Sequence, residues 1–243
     1  MVGTAASVFT NPAGLAPIRV MALEGAWAPM TDTSNVFTGA AAARIGSVNV
    51  GAGLRYLRFD DGLATERNIH SVGAMVVRIR GVALGLAADY ASVEDSAGTV
   101  TRTLSGDAAL TVAFFDIAAL ALAARHIGRT GFGGPVLDLP STVSLGFSLN
   151  LIDTYSNGRL LATIEQVWGD GGARTRLGLE GGFVLAGVGV VGRAGTGGTA
   201  DDSQFGDSTV GGSLVLGRAA LDYAYLHRPE QSPVHMIGIR VTP

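Results

Sequence analysis

The sequence predicts an all-β fold, a transmembrane antiparallel up-and-down β-barrel of about fourteen strands with a short plug-like N-terminal segment. Three observations predict it. Large apolar residues alternate with small or charged ones along most of the chain. The apolar content is high, yet no run is long enough for a membrane helix. The connections between alternating segments are short and long in turn, the layout of a barrel with one tight-turn rim and one loop rim.

A chain of 243 residues holds one large domain or two small ones. Its mean hydropathy of +0.36, with only 15% charged residues, is too apolar for an ordinary soluble enzyme. The 36 glycines exceed average usage without a collagen-like period. A net charge of −3 and the lack of any basic run argue against a nucleic-acid partner. The absence of cysteine excludes a disulfide scaffold and a thiolate metal site, and suits an exported bacterial protein. Met1 is not followed by a basic leader region, so an exported chain is expected to have lost its leader or to begin at a fragment boundary.

Two regions follow from the pattern, an N-terminal segment over 1–17 and a barrel over 18–243. Gly3 to Phe9 is small and mildly apolar, enough for one or two helical turns, and Asn11-Pro12 ends them because proline disfavours helical geometry in the residue before it. Strands are expected at 18–30, 35–45, 47–58, 71–80, 82–91, 106–115 and 118–127, then at 141–151, 158–168, 173–185, 187–194, 208–217, 219–227 and 233–242. In the third, Val48, Val50, Leu54 and Tyr56 oppose Asn49, Gly51, Gly53 and Arg55. In the fifth, Val82, Leu84, Leu86 and Tyr90 oppose Ala83, Gly85, Ala87 and Asp89. The stretch from Ala108 to Ala124 contains Thr111 and Asp116 and reads with period two as a hairpin turning at Asp116-Ile117, although a helix is the competing reading.

A soluble sandwich shows the same parity, so loop lengths decide. Tight turns fall at Gly46-Ser47, Arg80-Gly81, Asp116-Ile117, Ala186-Gly187 and Arg218, and Asp153 to Asn157 is slightly longer. Longer connections are expected at 59–70, 92–105, 128–140 and 195–207, with short exceptions at 31–34, 169–172 and 228–232. Both termini then lie on the tight-turn, periplasmic side. A barrel of this size encloses more space than side chains fill in an eight-stranded one. Its inward parity is mostly Gly, Ala and Ser, with charges at Glu24, Arg55, Asp89, Arg125, Glu165, Arg176, Glu180, Arg193, Asp222 and Arg240. Their mixed signs allow pairing across the lumen.

The run Ala6-Ser7-Val8-Phe9-Thr10-Asn11-Pro12-Ala13-Gly14-Leu15-Ala16 resembles the N-terminal signature of the FadL-type outer-membrane transporters for long-chain fatty acids, also seen in their PorV-like relatives. An ordinary turn after a frayed helix is the alternative reading of the motif. The resemblance implies that this segment lies inside the barrel and gates the passage of hydrophobic ligands. It singles out Asn11, Pro12, Ala13 and Gly14 as gating or plug residues. Little sequence precedes the motif here, which sets the chain apart from the longer transporters and either puts a full plug domain in doubt or means that the start is missing.

Other signals are weaker. Gly187-Val188-Gly189-Val190-Val191-Gly192 fits the dinucleotide pattern GxGxxG but has no following helix, so no cofactor is expected. His70, His126, His227 and His235 show no paired ligand spacing, and no metal is expected. His126 shares the outward parity of Leu120 and Leu122, with no serine of matching parity for a lipase, so no catalytic residue is assigned. Trp27, Trp168, Tyr56, Tyr90 and Tyr225 fall near strand ends, as in an interfacial girdle or a soluble core. The apolar loop holding Phe132, Val136, Leu137 and Leu139 suits capture of hydrophobic ligand, or packing onto the barrel mouth without a binding role.

The expected function is passive uptake of hydrophobic small molecules, such as long-chain fatty acids, across a bacterial outer membrane. The partners are membrane lipids and the ligand. The alternative, taken from the PorV-like resemblance, is a protein-binding barrel attached to secretion or surface-assembly machinery. A third reading is a structural barrel closed by paired charges.

Overall fold

The computed structural model describes residues 4–31, 34–60, 65–95, 97–115, 117–132, 137–154, 158–170, 172–199, 207–229 and 231–242. Two short 3-10 helices, Ala5–Phe9 and Pro12–Leu15, precede fourteen strands. These are β1 (Met21–Thr31), β2 (Ser34–Ile45), β3 (Val48–Asp60), β4 (Thr65–Ile79), β5 (Val82–Glu94), β6 (Val100–Phe114) and β7 (Ala118–Gly131), followed by β8 (Thr142–Thr154), β9 (Gly158–Gly169), β10 (Gly172–Leu185), β11 (Val188–Thr199), β12 (Ser208–Leu216), β13 (Ala219–Arg228) and β14 (Gln231–Val241). Each strand pairs antiparallel with its neighbours in sequence, and β1 closes on β14 from Leu23↔Val241 to Trp27↔Ile237. Closure leaves no free sheet edge, a requirement for backbone placed in hydrocarbon.

The two faces follow the alternation. Leu54, Leu86, Leu177 and Ile239 point outward and are each at least half exposed, whereas Ala22, Ala40, Ala83, Ala109 and Ala123 are buried on the inner face. A continuous apolar band on the outside is stable only against lipid, so this is a transmembrane barrel. Trp27, Phe37 and Tyr56 sit side by side on that outer face, in register across β1, β2 and β3, as residues of an aromatic belt do. The hydrophobic core lies inside the barrel, where Ala5, Val8, Phe9, Ala13 and Leu15 of the N-terminal segment pack against inward alanines and valines.

The tight turns at Gly46-Ser47, Arg80-Gly81, Ala186-Gly187 and Arg218 stand where the sequence places them, whereas Asp153 and Thr154 still pair with β9 and 155–157 lie outside the described residues. Ala186 and Gly187 both take positive φ (51° and 82°), as a two-residue type I′ hairpin requires. Arg80 and Phe115 also take positive φ at the tight-turn rim, and Ile117 N–H closes that turn on Phe114 C=O at 3.0 Å. Asp116, the other turn residue expected there, lies outside the described residues. The region around it is strand, so the hairpin reading holds against the helix.

At the other rim the strands run further than expected. β3 and β4 extend to Asp60↔Thr65, and β5 and β6 to Glu94↔Val100, so most of 59–70 and 92–105 is ladder. These extensions carry polar residues on both parities, as in Arg67 and Asn68, which interrupts the alternation there. Backbone hydrogen bonding continues past the apolar band nonetheless.

Strand β7 also departs from simple parity. Its register against β6 shifts between Gly106↔Ile127 and Ala108↔Ala124, with three steps on β7 against two on β6. His126 is the extra residue and takes φ 54°. Simple parity puts this side chain outside with Leu120 and Leu122. The bulge instead turns it toward the inner face, where it meets His70 and Asp89.

Candidate functional site

The inward wall of β1 to β6 is shaped around the N-terminal segment. An ideal Cβ on Gly51 would lie 2.6 Å from Leu15 Cδ1, and one on Gly53 would lie 2.5 Å from the Phe9 ring. On Gly85 it would strike backbone, at 2.6 Å from the Ala13 nitrogen. Only residues without a side chain let the segment approach this closely.

Polar groups fix the segment at both ends. Ala5 N–H and Ala6 N–H donate to the Glu24 carboxylate at 2.6 and 3.1 Å, which satisfies amides that a short helix leaves open at its start. Asn49 is buried and its side-chain amide donates to Leu15 C=O at 2.9 Å and Ile18 C=O at 2.8 Å. Between these anchors the Arg55 guanidinium lies 4.6 Å from the centroid of the Phe9 ring. Pro12 occupies the first turn of the second 3-10 helix, and Gly14 N–H donates to Asn11 C=O at 2.9 Å. Pro12 and Ala13 are buried, whereas Asn11 and Gly14 are half-buried. A side chain at Gly14 would crowd Ser7 Cβ at 2.9 Å, so the two 3-10 turns fold onto each other.

The segment does not fill the lumen. A cavity of ≈ 970 Å³ lies alongside it, lined by Thr4, Leu161, Val191, Met236 and the charged residues of the far wall. There the Arg159 guanidinium contacts Glu180 at 2.9 Å, and Arg193 contacts Glu180 at 2.7 Å and Asp222 at 3.4 Å. Arg240 stands 3.6 Å from Asp222, and Arg193 also donates to Ser213 Oγ at 2.6 Å. The result is a ladder of alternating sign that crosses β9, β10, β11, β13 and β14. Arg176 and Glu165 form a separate pair at 3.2 Å nearer the loop rim. All ten charged residues expected on the inner wall, Glu24 included, lie at inward-facing strand positions.

A third group was not legible. Pairing of β4, β5, β6 and β7 brings together His70, Asp89, Asp107, Arg125 and His126. His70 Nε2 is 2.9 Å from Asp89 Oδ1, and Asp107 Oδ1 accepts the His126 backbone N–H at 2.8 Å. Arg125 Nε is 3.5 Å from Asp107 Oδ2, an ion pair rather than a hydrogen bond. The inward parity of His70 was open to reading. The convergence of His126 depends on a bulge for which the sequence carries no pattern.

Of the apolar loop residues, Phe132 is half exposed, Leu137 and Leu139 are half-buried, and Val136 lies outside the described residues. Leu137 N–H donates to the Thr103 hydroxyl at 2.7 Å, and Arg129 donates to Leu139 C=O at 2.7 Å and pairs with Asp138. These contacts tie the loop to β6 and β7.

The fold and lumen together define a class, a transmembrane barrel whose N-terminal segment is folded inward beside an open cavity. No protein-family model matches the chain, and no curated protein sequence does. Among solved structures the chain is similar to the toluene transporter TbuX of Ralstonia pickettii, with TM-score 0.63 and 11% identity over 98% of this chain and 93% of that one. It is also similar to the toluene transporter TodX of Pseudomonas putida, with TM-score 0.60 and 11% identity over 99% and 95% of the two chains. At such identity the likeness establishes a shared fold.

Proposed function

We propose that this protein is an outer-membrane channel of the FadL type for passive uptake of hydrophobic small molecules. The observation that carries the reading is the inward-folded N-terminal segment, seated on Gly51, Gly53 and Gly85 beside a cavity of ≈ 970 Å³. A lumen meant only to be closed needs no glycine cradle for a separate segment. A cavity of this volume accommodates a monoaromatic molecule or an acyl chain. The fold shared with two toluene transporters supports the same ligand class, and long-chain fatty acids remain within it by size.

In this mechanism Phe132, Leu137 and Leu139 form the outer apolar patch that captures ligand. Asn11, Pro12, Ala13 and Gly14 form the element that must shift or divert the ligand. The charged residues Arg159, Glu180, Arg193, Asp222 and Arg240 pair with one another and keep the wall rigid, while Leu161, Val191 and Met236 offer apolar surface. Nothing in the geometry or the comparisons favours the alternative of a PorV-like, protein-binding barrel.

The test is uptake of radiolabelled toluene and oleate by proteoliposomes, with the chain and with its Asn11→Ala/Pro12→Ala double variant. Faster uptake than in empty vesicles, altered in the double variant, is expected. Uptake equal to that of empty vesicles for both ligands refutes the channel. Uptake that the double variant leaves unchanged removes the gating role alone.

A further inference from the structure

We propose that His70, Asp89 and His126 form a binding site for a single divalent first-row transition cation on the inner wall of the barrel. Each residue offers one ligand atom, and the three atoms all lie within 4.8 Å of one another. Two imidazoles and a carboxylate are a donor set that suits Zn²⁺ and its neighbours better than Mg²⁺ or Ca²⁺. The His70 Nε2 to Asp89 Oδ1 separation of 2.9 Å opens only slightly to reach the distance of about 3.3 Å between ligands in a tetrahedral shell.

The carboxylate itself points to a ligand. Asp89 has no exposed surface, and its Oδ2 has no hydrogen-bond partner. A buried carboxylate oxygen left unpaired is costly, and native interiors rarely keep one without a partner. Ser105, directly opposite Asp89 in the β5–β6 register, is also buried, with its Oγ unpartnered. Two such atoms on paired residues of neighbouring strands mark a place where a cation and its bound water complete the coordination. The nearby cations are already engaged, Arg125 with Asp107 and Arg55 with the Phe9 ring.

His126 is prepared for the role. Its Nδ1 lies 2.9 Å from the carbonyl oxygen of Pro140, which only accepts, so Nδ1 is the donor there and Nε2 is the nitrogen left to coordinate a metal. A backbone carbonyl holding the far nitrogen is the usual outer partner of a metal-bound histidine. The backbone at His126 takes φ 54°, a conformation uncommon for a residue with a side chain, and Asp107 steadies it through the His126 N–H. The metal would bind β4 and β5 to the bulge of β7, behind the Phe9 ring, whose centroid is 5.8 Å from that of His70. The inference stands apart from the transport reading.

The test uses the full chain in detergent, stripped with a chelator, in a His227→Gln/His235→Gln background that removes two histidines outside the cluster. Titration with Co²⁺ alone is expected to give visible d–d absorption that saturates at one equivalent and is abolished by competing Zn²⁺. His126→Gln and His70→Gln, each in the same background, are expected to weaken binding by about tenfold or more. Lack of saturable binding in the parent overturns the proposal, as does unchanged affinity in both variants. Asp89→Asn is a third variant, and should it fail to fold, the two histidine variants still decide.

Discussion

The Glu24 carboxylate accepts the backbone N–H groups of Ala5 and Ala6, at 2.6 and 3.1 Å, across sequence separations of 19 and 18 residues. One side chain on β1 thus fixes the start of the N-terminal segment to the wall it lies against. Hydrogen bonds to a charged acceptor contribute about 1.5–3 kcal/mol each in favourable settings. Glu24→Gln keeps the shape and removes the charge. It is expected to loosen the segment by about 1–2 kcal/mol, read as faster hydrogen exchange at Ala5 and Ala6 with no change in the strand amides.

Gly85 tests the cradle. Backbone of Pro12 and Ala13 stands where its Cβ would be, and backbone cannot step aside as a flexible side chain can. Gly85→Val is expected to unseat the segment and raise small-solute flux in a liposome-swelling assay. Gly73→Val is the control, because a Cβ there meets nothing within 4 Å. Equal flux in both variants would mean that the segment does not obstruct the lumen.

The membrane face makes a separate prediction. Leu86 is 60% exposed at the middle of the apolar band, whereas Phe115 is 93% exposed at a tight turn. Leu86→Arg is expected to destabilise the barrel by about 2–4 kcal/mol in lipid, and Phe115→Arg by about 0–1 kcal/mol. Denaturant-induced unfolding in vesicles measures both.

Arg193 stands between Glu180 and Asp222 in the charge ladder. Arg193→Ala leaves two carboxylates facing the cavity without their shared cation. The expected outcome is a shift of the reversal potential toward cation selectivity across a planar bilayer under a KCl gradient. Because the pair is partly hydrated, unfolding should change little.

Much of the barrel was legible because lipid imposes one simple rule on every strand. The alternation of Val82, Leu84 and Leu86 with Ala83, Gly85 and Ala87 needs no knowledge of neighbours, and β5 forms where it predicts. The charged inner wall was legible for the same reason. The strand extensions at Phe59 to Asp60 and Thr65 to Asn68 were not, since polar residues on both parities interrupt the alternation there.

What the sequence by itself determined is therefore the transmembrane barrel, its strand number, its tight turns and which charges face inward, all consequences of period-two burial against hydrocarbon. Tertiary structure alone decided which partners meet. Glu24 finds the amides of Ala5 and Ala6, Asn49 finds the carbonyls of Leu15 and Ile18, and a bulge in β7 turns His126 from the lipid side toward Asp89. Such contacts depend on register between strands and on closure of the sheet. A local pattern of apolar and polar residues does not encode either one.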